Sequence, residues 1–130
     1  MLISIVDDDM SFARSAERLL RAFGYDTEVF ASASGFFRLG RIQSSQCLIL
    51  DCLLPSVSGL ELQRCVNKSG FRLPIVFVTG GANLDEQTQA LRAGAVDFLR
   101  KPVDDLTLMN AVKHAIRRSS PQISCQRTSI

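Results

Sequence analysis

Cys47-Leu48-Ile49-Leu50-Asp51 runs four apolar residues straight into a carboxylate. Continuous apolar runs of this length belong to strands buried on both faces, the central strands of parallel sheets. A carboxylate ending such a strand serves no structural purpose unless something binds it, because burying an unpaired charge is costly. The pattern recurs along the chain. Leu2-Ile3-Ser4-Ile5-Val6 leads into Asp7-Asp8-Asp9, Ile75-Val76-Phe77-Val78 leads into Thr79, and the short run Val96-Asp97-Phe98-Leu99 stands just before Lys101-Pro102.

Stretches of helical period separate these runs. Phe12, Ala16, Leu19, Leu20 and Phe23 fall on one helical face, and Gly24 stops that helix. Residues 25–30 alternate and read as a strand near the sheet edge, since Asp26 and Glu28 must face water. Ser32 is placed to cap a short helix carrying Phe36, Phe37 and Leu39. After Pro55 and Gly59, the residues Leu60, Leu62 and Val66 mark a further helix that ends within 67–70. A weakly apolar helix over 84–93 offers Ala90 and Leu91 to the core, and Gly94 stops it. Beyond Pro102, Leu108, Met109, Val112 and Ile116 recur at helical spacing. Strands alternating with helices predict βαβ units and a parallel sheet, whose strand ends open on one crevice.

With 130 residues, 46% of them hydrophobic, the chain has apolar material for one compact domain and little more. The net charge of +2 is spread along the sequence, so no electrostatic footprint for nucleic acid is expected. No targeting segment or membrane span is read, and the expectation is a cytoplasmic protein. Cys47, Cys52, Cys65 and Cys125 form neither a CxxC pair nor a zinc-ligand set with the single His114, which suits reduced thiols. Residues 119–130 are polar and without period, and are expected to be a flexible tail or the start of a linker.

The crevice has a definite chemistry. Clustered carboxylates repel one another unless a cation sits among them, which implies a hard divalent metal and a magnesium-dependent phosphoryl site. Asp51 is the candidate nucleophile toward phosphorus, giving an acyl phosphate. Asp8 and Asp51 would bind the metal directly and Asp7 through water, with a backbone carbonyl just after Asp51, that of Leu53, completing the protein ligands. Lys101 supplies a compact positive charge and Thr79 a hydroxyl for the phosphoryl oxygens. Asp9 reads as a helix N-terminal residue, and no chemistry is assigned to His114 or the methionines.

In these positions the chain resembles the CheY-like receiver domain of two-component response regulators, over roughly residues 1–118. The matching residues are Asp7, Asp8, Asp51, Pro55, Gly59, Thr79 and Lys101-Pro102. Val78-Thr79-Gly80 and Gly94-Ala95-Val96-Asp97-Phe98-Leu99 resemble the receivers of FixJ-type transcriptional regulators. The resemblance implies a doubly wound, flavodoxin-like α/β domain with a five-stranded parallel sheet and helices on both faces. It also implies that Asp51 takes a phosphoryl group from the histidine of a sensor kinase. Thr79 would then move toward that group, Phe98 would turn inward behind it, and the surface of the fourth helix, fifth strand and fifth helix would change partners. A cis bond at Lys101-Pro102 belongs to the same pattern. A DNA-binding effector or downstream protein is the implied output, with phosphorylation-dependent homodimerisation through the fourth and fifth helices.

Asp51 is followed by Cys52-Leu53, so an apolar side chain stands where such receivers often carry a polar or basic one. Leu53 is therefore expected to impede water at the phosphoryl group, while Gly80 and Gly81 leave room above Thr79. The expected reaction is self-modification, not enzymatic turnover. Two other classes fit less well: an aspartyl-nucleophile phosphohydrolase, for which no insertion is long enough to form a cap, and an interaction module that is never phosphorylated, which would not need the whole acidic, hydroxyl and lysine set.

Overall fold

The computed structural model describes residues 1–119. Five strands, β1 (Leu2–Val6), β2 (Asp26–Phe30), β3 (Ser45–Leu50), β4 (Ile75–Thr79) and β5 (Asp97–Arg100), alternate with five helices. The helices are α1 (Met10–Ala22), α2 (Ala33–Leu39), α3 (Gly59–Ser69), α4 (Leu84–Arg92) and α5 (Asp105–Ser119). All strands are parallel, in the order β2-β1-β3-β4-β5. The expected doubly wound, five-stranded sheet is thus present, with β2 at one edge. The expected tail, past the Ser119 that still belongs to α5, lies outside the described residues.

Strand alternation sorts the core into two layers. Ile3, Ile5, Cys47, Ile49, Val76 and Val78 pack under α1 and α5, against Ala13, Ala16, Leu20, Leu108, Met109 and Val112. Val6, Leu48, Leu50, Ile75 and Phe77 face the other way, against Phe36 of α2, Leu62 and Val66 of α3, and Ala90 of α4. The central strands bury every apolar side chain, which is why they read as unbroken apolar runs.

Several expected core residues lie outside. Phe23, Phe37, Leu39 and Leu91 are all exposed. Phe23 and Leu39 stand at helix C-terminal ends, whereas Phe37 and Leu91 each follow a buried residue of their helix, Phe36 and Ala90, and so lie about 100° round from the covered face. Phe23 instead lies beneath the Lys113 ammonium, 5.2 Å from its ring centroid. Among the described residues, no helix is long and apolar enough to cross a membrane.

Candidate phosphoryl site

Sheet register brings the reactive groups to one level. Val6 lies opposite Leu50, Leu50 opposite Phe77, and Thr79 opposite Arg100. The ladder continues one residue beyond the strands. Asp51 N–H donates to the Val6 carbonyl at 3.0 Å and Lys101 N–H to that of Thr79 at 2.9 Å. Backbone pairing alone therefore carries Asp7, Asp51, Thr79 and Lys101 to the same edge.

Asp7, Asp8 and Asp51 each offer a carboxylate oxygen, and these oxygens lie within 4.8 Å of one another. Asp7 and Asp51 are buried, whereas Asp8 is exposed toward the crevice mouth. Asp7 Oδ1 accepts from Asp9 N–H at 2.8 Å, and Asp51 Oδ1 accepts from Leu53 N–H at 3.1 Å. Lys101 reaches into the group from just past β5, with its Nζ 2.8 Å from Asp7 Oδ2, 3.4 Å from Asp9 Oδ2 and 3.6 Å from Asp51 Oδ2. The peptide bond between Lys101 and Pro102 is cis.

Electrostatics follow from this crowding. Burial pushes the Asp7 carboxyl up to about 6, against the lowering effect of its hydrogen bonds from Lys101 and Asp9, and the Asp51 charge adds to the rise. Burial also works against the Lys101 ammonium, but the hydrogen bond and charge of Asp7, with Asp51 and Asp9, outweigh it and hold the lysine above its usual range. A site whose carboxyl is raised by desolvation and a neighbouring carboxylate is short of positive charge. An oxygen-liganded divalent cation suits that donor set.

Thr79 is fully buried, and its Oγ1 has no hydrogen-bond partner among the described residues. Buried hydroxyls are nearly always paired, so an orphan at the end of β4, one ladder step from Lys101, fits a donor kept for a ligand oxygen.

Gly59 is required by close approach. A β-carbon there would run into the Asp51 carbonyl oxygen and stand 2.9 Å from Cys52 Cα. Its N–H closes the loop by donating to the Cys52 carbonyl at 3.0 Å. At Gly81 the expected open space is occupied, because a β-carbon there would lie 2.8 Å from Leu53 Cδ1. Phe98 is already inside the core, stacked on Phe77 with ring centroids 5.5 Å apart. Cys52, beside the acceptor, is a buried thiol pushed up to about 11, chiefly by burial and then by the Glu86 and Asp51 charges.

Asp9 caps α1 as expected, its Oδ1 accepting from Phe12 N–H at 3.2 Å. That hydrogen bond holds its carboxyl below the usual range, with Lys101 contributing. Its contact with Lys101 was not foreseen, nor was the place of the Phe12 ring, whose centroid lies 4.7 Å from Lys101 Nζ. The only sequence signal for either was position: a third acid after two others, and an aromatic one helical turn later.

Comparison with known proteins gives the family. Residues 3–113 match the model of the response regulator receiver domain. The chain belongs to that family. Nodulation protein W of Bradyrhizobium diazoefficiens is 35% identical over 127 residues, covering 98% of this chain and 56% of that protein. The response regulator protein TodT of Pseudomonas putida is 36% identical over 123 residues, covering 95% of this chain and 54% of that protein. The crystal structure of full-length FixJ from B. japonicum superposes with a TM-score of 0.85 at 30% identity, covering 94% of this chain and 60% of that one. The chain therefore spans little more than half the length of the curated relatives it matches.

Proposed function

We propose that residues 1–118 act as a phosphorylatable receiver in a two-component system, with Asp51 as the phospho-acceptor and a sensor histidine kinase as the donor. The observation that carries this reading is the convergence of three carboxylates, one lysine and one orphaned hydroxyl at a single sheet edge. A carboxylate oxygen of Asp51 attacks phosphorus, the phosphorus–nitrogen bond of the donor histidine breaks, and the imidazole leaves with its electron pair. Lys101 and the Thr79 hydroxyl then hold the oxygens of the acyl phosphate.

Mg2+ is the proposed cofactor, held by Asp7, Asp8, Asp51 and the Leu53 carbonyl. When bound it would neutralise charge that the carboxylates and the phosphoryl group share. The proposed output is transcriptional, through an effector beyond these residues or a separate protein. Homodimerisation in the phosphorylated state, through α4 and α5, is the proposed intermediate step. The chain's own residues are not proposed to bind DNA or a membrane, and its place is taken to be the cytoplasm. Phe98 and Thr79 are the proposed switch pair; because Phe98 is already inward, phosphorylation would hold that arrangement rather than create it.

The test is intact mass after incubation with acetyl phosphate, with and without Mg2+, on wild type and Asp51→Asn. A metal-dependent gain of one phosphoryl group that the substitution abolishes is expected. A folded protein that gains nothing under any of these conditions would instead be an unphosphorylated interaction module.

A further inference from the structure

The Lys101 ammonium is held on more sides than the acidic site requires. Asp7 takes it at 2.8 Å from β1, while Asp9 Oδ2 at 3.4 Å and the Phe12 ring at 4.7 Å to the centroid hold it from α1. Asp51 stands farther away than Asp7 or Asp9, at 3.6 Å. The contacts from α1 form a closed triangle. One carboxylate oxygen of Asp9 accepts from the Phe12 N–H at 3.2 Å and so fixes the start of the helix, while the other faces Lys101. Phe12 is itself partly buried against the α1/α5 core layer, which fixes the ring that the ammonium meets.

We infer that Phe12 is a positioning residue for Lys101, and that the first turn of α1 sets where this lysine waits for the phosphoryl group. The inference rests on the reading of Asp51 as phospho-acceptor. A lysine on a four-carbon stem has many rotamers, and a charge that must meet phosphoryl oxygens acts well only if it is already in place. Carboxylates alone hold it poorly for this purpose, because they compete with the incoming oxygens for the same N–H groups. An aromatic face attracts the cation through its quadrupole without occupying a hydrogen-bond donor. Phe12 can therefore keep the ammonium near Asp51 throughout transfer, while the carboxylate contacts are exchanged.

The test uses the full chain and two readouts. In the metal-free, unphosphorylated protein, the Lys101 ε-methylene protons should be shifted upfield by the Phe12 ring in NMR spectra, and Phe12→Leu should abolish that shift. With acetyl phosphate and Mg2+, Phe12→Leu should slow phosphoryl gain about fivefold, the scale of one partly desolvated cation–π contact. Progressively fluorinated phenylalanines at position 12, which keep the shape and drain the ring face, should slow it stepwise. A flat fluorination series would show that Phe12 only packs and would overturn the inference, as would an unshifted Lys101 in wild type. Failure of wild type itself to gain a phosphoryl group, with the NMR shift present, would remove the functional role and point to failure of the acceptor reading.

Discussion

Leu53 lies over Gly81: a β-carbon built on the glycine would stand 2.8 Å from Leu53 Cδ1. The two residues follow Asp51 and Thr79 by the same interval, so an apolar side chain from one strand end fills the space left by a missing side chain at the other. Leu53 is 49% exposed, so it covers the rim of the crevice and is not part of the core. The proposed acyl phosphate on Asp51 would stand beside this rim, two residues before Leu53.

Exchanging Leu53 for a polar residue should therefore shorten the life of the phosphorylated form. Leu53→Asn is expected to speed hydrolysis at least about threefold, a barrier change of about 0.7 kcal/mol. The check is the decay of phosphorylated mass after removal of acetyl phosphate. Equal lifetimes would mean that Leu53 does not shield the group.

Gly59 should tolerate no side chain. The atoms that a β-carbon would meet belong to the backbone of Asp51 and Cys52, so they can yield only if the acceptor itself shifts. Overpacking of this kind costs about 1–3 kcal/mol. Gly59→Ala should lower the urea midpoint accordingly and reduce phosphoryl gain at Asp51, whereas a variant of unchanged stability would show that the loop can move aside.

Much of this fold was legible because its signals are local. Residues 47–51 and 75–79 are buried on both faces, and that burial is what an unbroken apolar run records. The strand-end carboxylates stood out because charge seldom ends such a run without a partner. What escaped was what depends on where helices stop and side chains reach. Leu91 is expected in the core beside Ala90, yet only Ala90 of α4 is buried, because the next residue lies about 100° round the helix from the covered face. The Asp9–Phe12–Lys101 triangle joins the start of α1 to a lysine 92 residues beyond Asp9. No spacing rule could disclose it; the cis turn at Lys101-Pro102 and the α1 cap had to be placed first.

Arg100 ties β5 to the segment that follows Thr79. Its Nη1 donates to the Ala82 carbonyl at 2.7 Å, its Nη2 to Gln87 Oε1 at 3.2 Å, and its guanidinium lies 5.8 Å from the Phe98 ring centroid. Arg100→Ala removes all three contacts and should cost about 1–2 kcal/mol. Amide exchange in residues 80–87 should rise more than that of the sheet. Uniform change across the domain would show that the arginine does not specifically restrain this loop.

Thr79 gives the sharpest separation between stability and signalling. Its buried Oγ1 has no partner among the described residues, and an unsatisfied buried hydroxyl costs roughly 1–3 kcal/mol. Valine has nearly the same shape, suits a strand and carries no hydroxyl. Thr79→Val should accordingly raise the unfolding free energy of the unphosphorylated protein by about 1 kcal/mol, measured in denaturant. The same change should weaken the stabilisation that wild type gains on loading with beryllofluoride and Mg2+, because the fluoride oxygen mimic would meet a methyl group. The opposed signs matter: a hydroxyl kept for structure would make the variant less stable in both states, whereas one held in reserve for a phosphoryl oxygen makes it more stable empty and less responsive when loaded.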